Sequence, residues 1–271
     1  MRFSPPCKRR LLARADGRYG DGEEQAVAKF TQNQVWADTL RLTRAHWAAL
    51  IAIAGAFNFL PTLLLNHFVP MGDPPVTSEL GVLLQFVLDY YRENALWVVL
   101  QSFVVMTGSA AMLGLVFARG GTVGGALVFA VTLLPVYSIL IVLTNLAVGA
   151  GFMLLILPGL YLWGRLLPAA PAMVAEERRN PLDALKRGWE LSEGHGWLII
   201  GLYLLVAIPA GIMMLVIAQL TGIVFILATG QQFGTLLGMI VLCAMQALVS
   251  ALLTMLAAAV YRALAPRKPE L

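Results

Sequence analysis

Hydrophobic positions are gathered along this chain into six long runs, separated by short polar segments. The runs cover roughly 47–69, 95–118, 122–147, 150–175, 197–221 and 235–261. Each is long enough to cross the hydrocarbon core of a bilayer as a helix, which takes about 20 residues. The pattern therefore predicts an all-α integral membrane protein with six transmembrane helices. Residues 144–152 carry the only turn signal between the third and fourth runs and predict a tight hairpin there.

Two further segments are amphipathic, and neither has an apolar stretch long enough to span a membrane. Residues 26–45 place Val35 and Trp36 among charged residues at roughly helical spacing. Residues 78–94 join a short apolar stretch to a polar end that carries two tyrosines. Both patterns are typical of helices that lie at a membrane interface, and they predict one such helix on each side.

Composition and charge add an orientation to this picture. Hydrophobic residues make up 59% of the chain and charged residues only 13%, against about 25% charged residues in soluble domains. In a six-span arrangement, 18 of the 19 Lys and Arg residues fall on the side that holds both termini, and only Arg92 falls on the other. The positive-inside rule then predicts cytoplasmic termini. The same rule accounts for the net charge of +4, so we expect no nucleic-acid partner.

These observations divide the chain into three parts. We expect a disordered basic cytoplasmic tail over residues 1–24, a single membrane domain over 25–265 and a short cytoplasmic tail over 266–271. The first span is expected to act as its own insertion signal, because no cleavable signal peptide is apparent. Residues 42–61 and 191–209 share a Leu, a Ser or Thr, a small residue, a His and a Trp before an apolar run that ends in Pro. They fit a parallel internal repeat, or two surface helices that each lead into a span.

The segment 158–197 breaks the apolar pattern with charges and prolines. Four residues are predicted to break or bend its helix: Pro158, Gly159, Pro168 and Pro171. Arg165 lies inside the fourth run, where a charge at the membrane centre costs about 2.5–3.5 kcal/mol. We therefore expect Arg165 to anchor the helix at the inner surface, to line a polar site for lipid or substrate, or to pair with a carboxylate.

Acidic residues that could meet Arg165 follow in the sequence. Glu176 and Glu177 complete a candidate polar site with Arg165 if the prolines bend the chain, because a straight helix would hold them roughly 16 Å away. Glu190 and Glu193 are alternative partners.

A short helix is predicted after this acidic pair. Asn180 suits the N-cap, Pro181 the first helical position and Gly194 the stop. Three of its residues are expected to hold it against anionic lipid at the cytoplasmic face: Lys186, Arg187 and Trp189. The alternative is a helix docked on the protein's own loops.

The whole stretch LPGLYLWGRLLPAAPAMVAEERRNPLDALKRGWELSEGHGW, residues 157–197, resembles the hallmark region of the YciC-like bacterial inner-membrane proteins. The same layout is found in the membrane domain that precedes some glycerophosphodiester phosphodiesterases. The shared features are a Pro-Gly in a span, an apolar run ending in Ala-Pro, an acidic residue, and a short helix with an aromatic residue. The resemblance implies a multi-pass, non-catalytic protein of the bacterial cytoplasmic membrane and supplies no catalytic residues.

Candidate chemistry is otherwise sparse. The three histidines lack the spacing of a zinc-binding helix, and the two cysteines lie in dissimilar surroundings, so we predict no metal site and no cofactor. Ser109 lies in a span without a histidine to activate it and is expected to pack between helices. The other polar residues in or near the spans are expected to hydrogen-bond between helices: Asn58, Gln101, Asn145, Gln219 and Gln246.

Gly230, Gly234 and Gly238 repeat at four-residue spacing and form one stripe at the start of the last span. Such a stripe allows two helices to approach closely, either within the chain or across a homodimer.

Taken together, the sequence favours a non-enzymatic inner-membrane protein that acts as a scaffold on the bilayer or on a membrane-protein partner. The alternative is a small transporter or a lipid-handling protein with its polar site near Arg165.

Overall fold

The computed structural model describes residues 32–72, 75–76, 79–117 and 122–265. Within these ranges the chain is all-helical, without a β-strand. The described residues form ten α-helices, and a five-residue π-helix, Gly55–Phe59, joins the first two of them. The α-helices are α1 (Gln32–Ala54), α2 (Leu60–Phe68), α3 (Leu80–Glu93), α4 (Ala95–Val116), α5 (Val123–Leu154), α6 (Ile156–Leu166), α7 (Ala169–Ala175), α8 (Pro181–Leu191), α9 (Gly196–Thr229) and α10 (Gln231–Leu264). The predicted tails, 1–24 and 266–271, lie outside the described residues.

In the part of the chain that the structure describes, five stretches of helix are long and apolar enough to cross a membrane. They are Gln32–Phe68, Ala95–Val116, Val123–Leu154, Gly196–Ala228 and Phe233–Leu264. The first passes through α1, the π-helix and α2. The all-α class is therefore confirmed, and five of the six predicted runs correspond to one long helix each.

The fourth predicted run, 150–175, is not a single helix. Helix α5 continues through the predicted hairpin at 144–152, and the chain turns only at Leu155, whose backbone is extended. The predicted turn is wrong, and one of its glycines, Gly151, serves helix packing instead. A Cβ on Gly151 would lie 2.8 Å from the Cα of Gly159 on α6, so these two glycines let α5 and α6 approach closely.

The four residues predicted to break the helix have different positions. Pro168 lies between α6 and α7, where the helix is interrupted. Pro158 and Pro171 lie in the first turns of α6 and α7. Backbone N–H groups in the first turn have no partner within the helix, so proline, which lacks this group, costs no helical hydrogen bond there. Gly159 lies within α6. The interruptions therefore follow Leu154 and Leu166, rather than the Pro158-Gly159 pair.

The two segments of related sequence share a local backbone feature. His46 interrupts α1 with φ −122° and ψ 16°, and His195 precedes α9 with φ −116° and ψ 3°. A tryptophan and a long apolar helix follow each histidine. The break at His46 separates residues 32–45 from the first apolar run. An internal duplication stays a prediction.

Both ends of the described chain lie at the same end of the helix bundle. The side chain of Asn58 hydrogen-bonds Ser250, and eight residues later Asn66 donates to Cys243 Sγ, so the π-helix and α2 run antiparallel to α10. At the end of α10, Tyr261 packs edge-on against Phe117, which follows α4. We call this the basic end, because it carries the arginines that precede the His46 break in α1, those around α8 and one in the last turn of α10: Arg41, Arg44, Arg178, Arg187 and Arg262.

The directions of the long helices require a return passage between α5 and α9. Helix α5 packs antiparallel to α4, with Phe129 near Gly114, and so it leaves the basic end. Helix α9 also leaves the basic end, because it forms an antiparallel hairpin with α10. The chain therefore comes back to the basic end through α6 and α7.

The glycine stripe lies inside the hairpin of α9 and α10. Gly230 forms the turn with φ 86°, a conformation that favours glycine. A Cβ on Gly234 would overlap the backbone of Ile226, and a Cβ on Gly238 would lie 3.2 Å from the Cα of Gly222. The stripe is therefore covered by α9 of the same chain.

Packing is closest in the half of the bundle near the basic end. Helices α1, α4 and α10 bury large apolar side chains there, among them Ile53, Met112, Met255 and Leu256. Alanines on α4 and α10 are fully buried between them, and small residues allow such close contact. Further from the basic end the same helices separate around a cavity.

Candidate functional site

A cavity of about 450 Å³ lies between the π-helix, α2, α4, α5 and α10, with Tyr91 of α3 at its rim. Its polar lining residues carry amides and hydroxyls: Asn58, Thr62, Tyr91, Gln101, Ser102, Ser109, Tyr137, Gln246 and Ser250. Among the described residues that line it, none carries a charge. The cavity therefore joins many polar side chains to apolar ones, its described lining carries no charge, and we call it the polar cavity.

Helix α4 supplies one wall of the cavity. Its lining residues recur every three or four positions: Val98, Gln101, Ser102, Val105, Met106 and Ser109. That spacing places them on one helical face. At a rise of about 1.5 Å per residue, the face extends about 16 Å along α4. The hydroxyls of Ser102 and Ser109 hydrogen-bond the carbonyls four residues earlier in the same helix, as serines within helices commonly do.

The π-helix places Asn58 against this wall. Its side chain is only 5% exposed, and Nδ2 donates to Ser250 Oγ at 3.0 Å. Its Oδ1 atom is buried without a hydrogen-bond partner among the described residues. Gly108 on α4 makes room for this turn, because a Cβ there would lie 2.5 Å from Phe57 Cβ. Single π-turns within α-helices are frequent at functional sites.

Some of the other polar side chains of the cavity form hydrogen bonds with neighbouring helices, and some do not. Gln101 Nε2 donates to Thr62 Oγ1 at 3.1 Å, which joins α4 to α2. Among the described residues, nothing hydrogen-bonds the Gln246 amide or the Tyr137 hydroxyl. The cavity thus keeps donors and acceptors available, and it contains no histidine that could activate Ser109 within the described lining.

The predicted site around Arg165 is not a cavity but a contact between helices. Arg165 is 5% exposed and lies near the start of α9. Its Nη1 donates to the Ser192 carbonyl at 3.2 Å, while the Ser192 hydroxyl donates to the Arg165 carbonyl at 2.8 Å. Its guanidinium lies over Trp189, with Cζ 4.2 Å from the ring centroid. This reciprocal contact joins α6 to α8.

No carboxylate balances this buried charge among the described residues. Of the three alternatives for Arg165, pairing with an acidic residue is therefore not found among the described residues. Arg165 lies in the last turn of α6, and Ser192 is the C-cap of α8. Helix C-termini carry partial negative charge, and an aromatic face attracts a cation. Two helix ends and one indole ring take the place of a carboxylate.

Glu176 and Glu177 are not in contact with Arg165 in the described structure. Glu176 is the C-cap of α7, and Glu177 has a left-handed backbone with φ 52°. Glu176 accepts hydrogen bonds from Arg178 at 2.7 Å, Arg187 at 3.0 Å and Tyr261 at 3.1 Å. It thereby joins α7, α8 and α10 at the basic end. None of Arg165, Glu176 and Glu177 lines the polar cavity.

The Glu176 cluster predicts an acid-sensitive contribution to stability. Burial alone would raise the pKa of Glu176, but the hydrogen bonds from Arg187, Arg178 and Tyr261 outweigh it and lower the pKa below its ordinary value. A lowered pKa in the folded state means that the contribution is complete above the unfolded-state pKa and is lost as the pH falls through the folded-state pKa. We expect Glu176→Gln to cost about 1–3 kcal/mol at pH 7, in line with hydrogen bonds to charged groups.

The measurement is the free energy of unfolding in mixed micelles between pH 7 and pH 3.5. The wild type should lose stability in the acid range, and Glu176→Gln should flatten that part of the curve. Glu190→Gln is the matched control, because Glu190 is half exposed and lies 3.8 Å from Arg187. Equal acid sensitivity in wild type and Glu176→Gln would contradict this assignment.

Helix α8 begins as the sequence predicts. The Asn180 side chain accepts a hydrogen bond from the Leu182 N–H, and Pro181 is the first helical residue. Its buried face, however, is made by Ala184 and Gly188. A Cβ on Gly188 would lie 2.8 Å from the Cα of Ala169. The helix therefore docks on α7 through small residues, which a search for large apolar side chains misses.

The three residues predicted to hold α8 against lipid have separate surroundings. Arg187 binds Glu176, and Trp189 lies beneath Arg165 while 41% of its surface is exposed. Lys186 is exposed. Of the three, Arg187 and Trp189 thus contribute contacts within the protein.

Sequence reasoning identified the cavity residues Asn58, Gln101 and Gln246 only as polar groups that bond between helices. Two of them do so, with Ser250 and Thr62. Tyr137 and Ser250 gave no signal, because single hydroxyls are common in apolar helices. Comparison of the chain with protein-family models, curated proteins and solved structures gives no match.

Proposed function

We propose that this chain is a multi-pass membrane protein that binds an uncharged polar molecule in the cavity beside Asn58, as a small transporter or a lipid-handling protein. This is the alternative that the sequence favoured second, with the site moved away from Arg165. In the proposed role the chain is not an enzyme and uses no cofactor.

The observation that carries the proposal is the neutral polar cavity itself. Polar groups in a membrane interior are costly unless they find hydrogen-bond partners. The Gln246 amide and the Tyr137 hydroxyl are available at the cavity, and a bound molecule would supply such partners. A volume of about 450 Å³ lies within the range of about 300–1,000 Å³ that is typical of ligand pockets.

The chemistry of the lining supports an uncharged ligand. Amides and hydroxyls both donate and accept hydrogen bonds, which suits a molecule rich in hydroxyl or amide groups. A charged ligand would lose its hydration without meeting an opposite charge among the lining residues, and that cost is large in an apolar environment.

We further propose six membrane crossings, with α6 and α7 together as the fourth. This is supported by the return passage of the chain, by the common end of α1 and α10, and by the gathering of arginines at the basic end. The positive-inside rule then assigns the basic end to the cytoplasm, where Lys186 would face anionic lipid. The resemblance to YciC-like proteins suggests the bacterial inner membrane.

Gln246→Leu tests the proposed binding site. This change keeps the side-chain size but removes one hydrogen-bonding group from the cavity, and it breaks no hydrogen bond with the described residues. Because one hydrogen bond contributes about 1 kcal/mol, we expect ligand affinity to fall about five- to tenfold. Native mass spectrometry of the protein extracted with its membrane would measure the fraction that carries an uncharged adduct.

The matched control is Gln219→Leu, which alters a glutamine of α9 outside the cavity lining. Asn58→Leu is a second test variant, whose fold is checked by circular dichroism. The proposal requires that the wild type and Gln219→Leu retain the adduct while both cavity variants lose it. An absent adduct, a charged adduct, or equal occupancy in all variants would overturn it.

A further inference from the structure

An apolar groove of about 550 Å³ adjoins the polar cavity between α2 and α4. Its walls include Pro61, Leu64 and Phe68 on α2, and Trp97, Leu100 and Val104 on α4. The side chains of Phe68 and Trp97 are 73% and 57% exposed. The groove is therefore open along one side of the bundle.

Gln101 lines both the groove and the cavity. Its amide donates to Thr62 Oγ1, and Thr62 belongs to the cavity lining. Along α4, Ser102 and Val105 face the cavity, whereas Leu100 and Val104 line the groove. A polar compartment and an apolar one thus meet at a single side chain.

We infer that the ligand of the polar cavity is an amphiphile, with an uncharged head group in the cavity and a hydrocarbon chain in the groove. The inference rests on the proposed function, because it names the class of molecule that the same site takes. Continuity through Gln101 lets one molecule occupy both compartments. Neither compartment is lined by a charged residue in the described structure, so the head group carries hydroxyls or amides rather than phosphate.

An amphiphile fits this arrangement better than a helix of a partner protein. A partner helix seated on the groove would cover Phe68 and Trp97 but would leave the polar groups of the cavity without partners. An ordinary membrane lipid with a charged head group would place its chain in the groove but would lose head-group solvation in the cavity. Only a molecule with both a chain and a neutral polar head satisfies both compartments.

The fluorescence of Trp97 provides a direct test, because this residue lines the groove. The protein in phosphatidylcholine nanodiscs is given increasing amounts of a monoacylglycerol with a dibrominated chain, and bromine quenches tryptophan on contact. The Trp97 signal is the difference between the wild type and Trp97→Phe. We expect its quenching to saturate. Phosphatidylcholine with the same brominated chain should quench only in proportion to its mole fraction.

Val104→Phe narrows the groove and should raise the monoacylglycerol concentration at half-quenching by about tenfold or more, as expected for a crowded binding site. Leu100→Phe is a second variant with the same expected effect. The matched control is Val128→Phe on α5, a site that is 67% exposed and outside both compartments. Equal quenching by the two lipids would overturn the inference, as would unchanged half-quenching in both groove variants.

The failure of this inference is distinguishable from failure of the proposed function. If Gln246→Leu lowers the occupancy of an uncharged adduct but monoacylglycerol does not saturate the Trp97 signal, the cavity binds a polar molecule without a chain in the groove. If Gln246→Leu also has no effect on adduct occupancy, the proposed function fails with it.

Discussion

Gly164→Val should separate α6 from α9 and cost about 3 kcal/mol or more of stability, at the upper end of the range for overpacking a buried site. A Cβ at residue 164 would lie 2.6 Å from the carbonyl oxygen of Gly196 and 2.9 Å from Cβ of Ile200. The first of these atoms belongs to the backbone, so the clash is relieved only by moving a helix. The measurement is the free energy of unfolding in SDS-containing mixed micelles.

The matched control is Gly201→Val on α9. A Cβ there meets no atom within 4 Å, and valine has a somewhat better helix propensity than glycine. This variant should therefore match or slightly exceed the wild type in stability. If Gly164→Val and Gly201→Val unfold at the same SDS fraction, the close approach of α6 and α9 is absent in the folded protein.

Arg165→Met has the second largest expected effect, a loss of about 2–4 kcal/mol. Methionine keeps much of the length of the side chain but removes a desolvated cation–π contact of about 2 kcal/mol and a charged hydrogen bond of about 1.5–3 kcal/mol. Relief of charge desolvation offsets part of this sum. Arg165→Lys keeps the charge but not the planar group, so its stability should lie between those of the wild type and Arg165→Met.

A double-mutant cycle with Trp189→Leu isolates the stacking contribution, because contacting residues show non-additive free energies. Arg179→Met is the control, since Arg179 is an exposed arginine just before α8. Wild-type stability of Arg165→Met, or strict additivity with Trp189→Leu, would contradict the described role of the guanidinium.

The long helices were predictable because apolar runs of membrane-spanning length have few other stable structures. The course of the chain between α5 and α9 was not. Glycines at 149 and 151 resemble a turn in sequence, yet α5 uses Gly151 to approach Gly159. Glycine serves both turns and close packing, and only the neighbouring helix decides between them.

The surroundings of Arg165 were missed for a related reason. The sequence offered nearby carboxylates, and a buried cation is expected to seek one. The fold instead brings Trp189 and Ser192 to Arg165 across α7 and α8. Linear spacing identifies neighbours only within one helix, and two helix boundaries lie between these residues. The π-helix that positions Asn58 likewise has no signal in the periodicity of apolar residues.

Because the lining of the cavity is neutral, the membrane potential does not act on an uncharged molecule bound in it. A charge that crosses the membrane field exchanges about 2.3 kcal/mol per 100 mV, and surface charges respond to ionic strength. The binding of an uncharged molecule in a cavity lined by Asn58, Gln101 and Gln246 depends on neither the membrane potential nor the ionic strength. In the proposed role, the occupancy of such a molecule is governed by its own concentration on each side or in each leaflet, and its movement carries no electrical current.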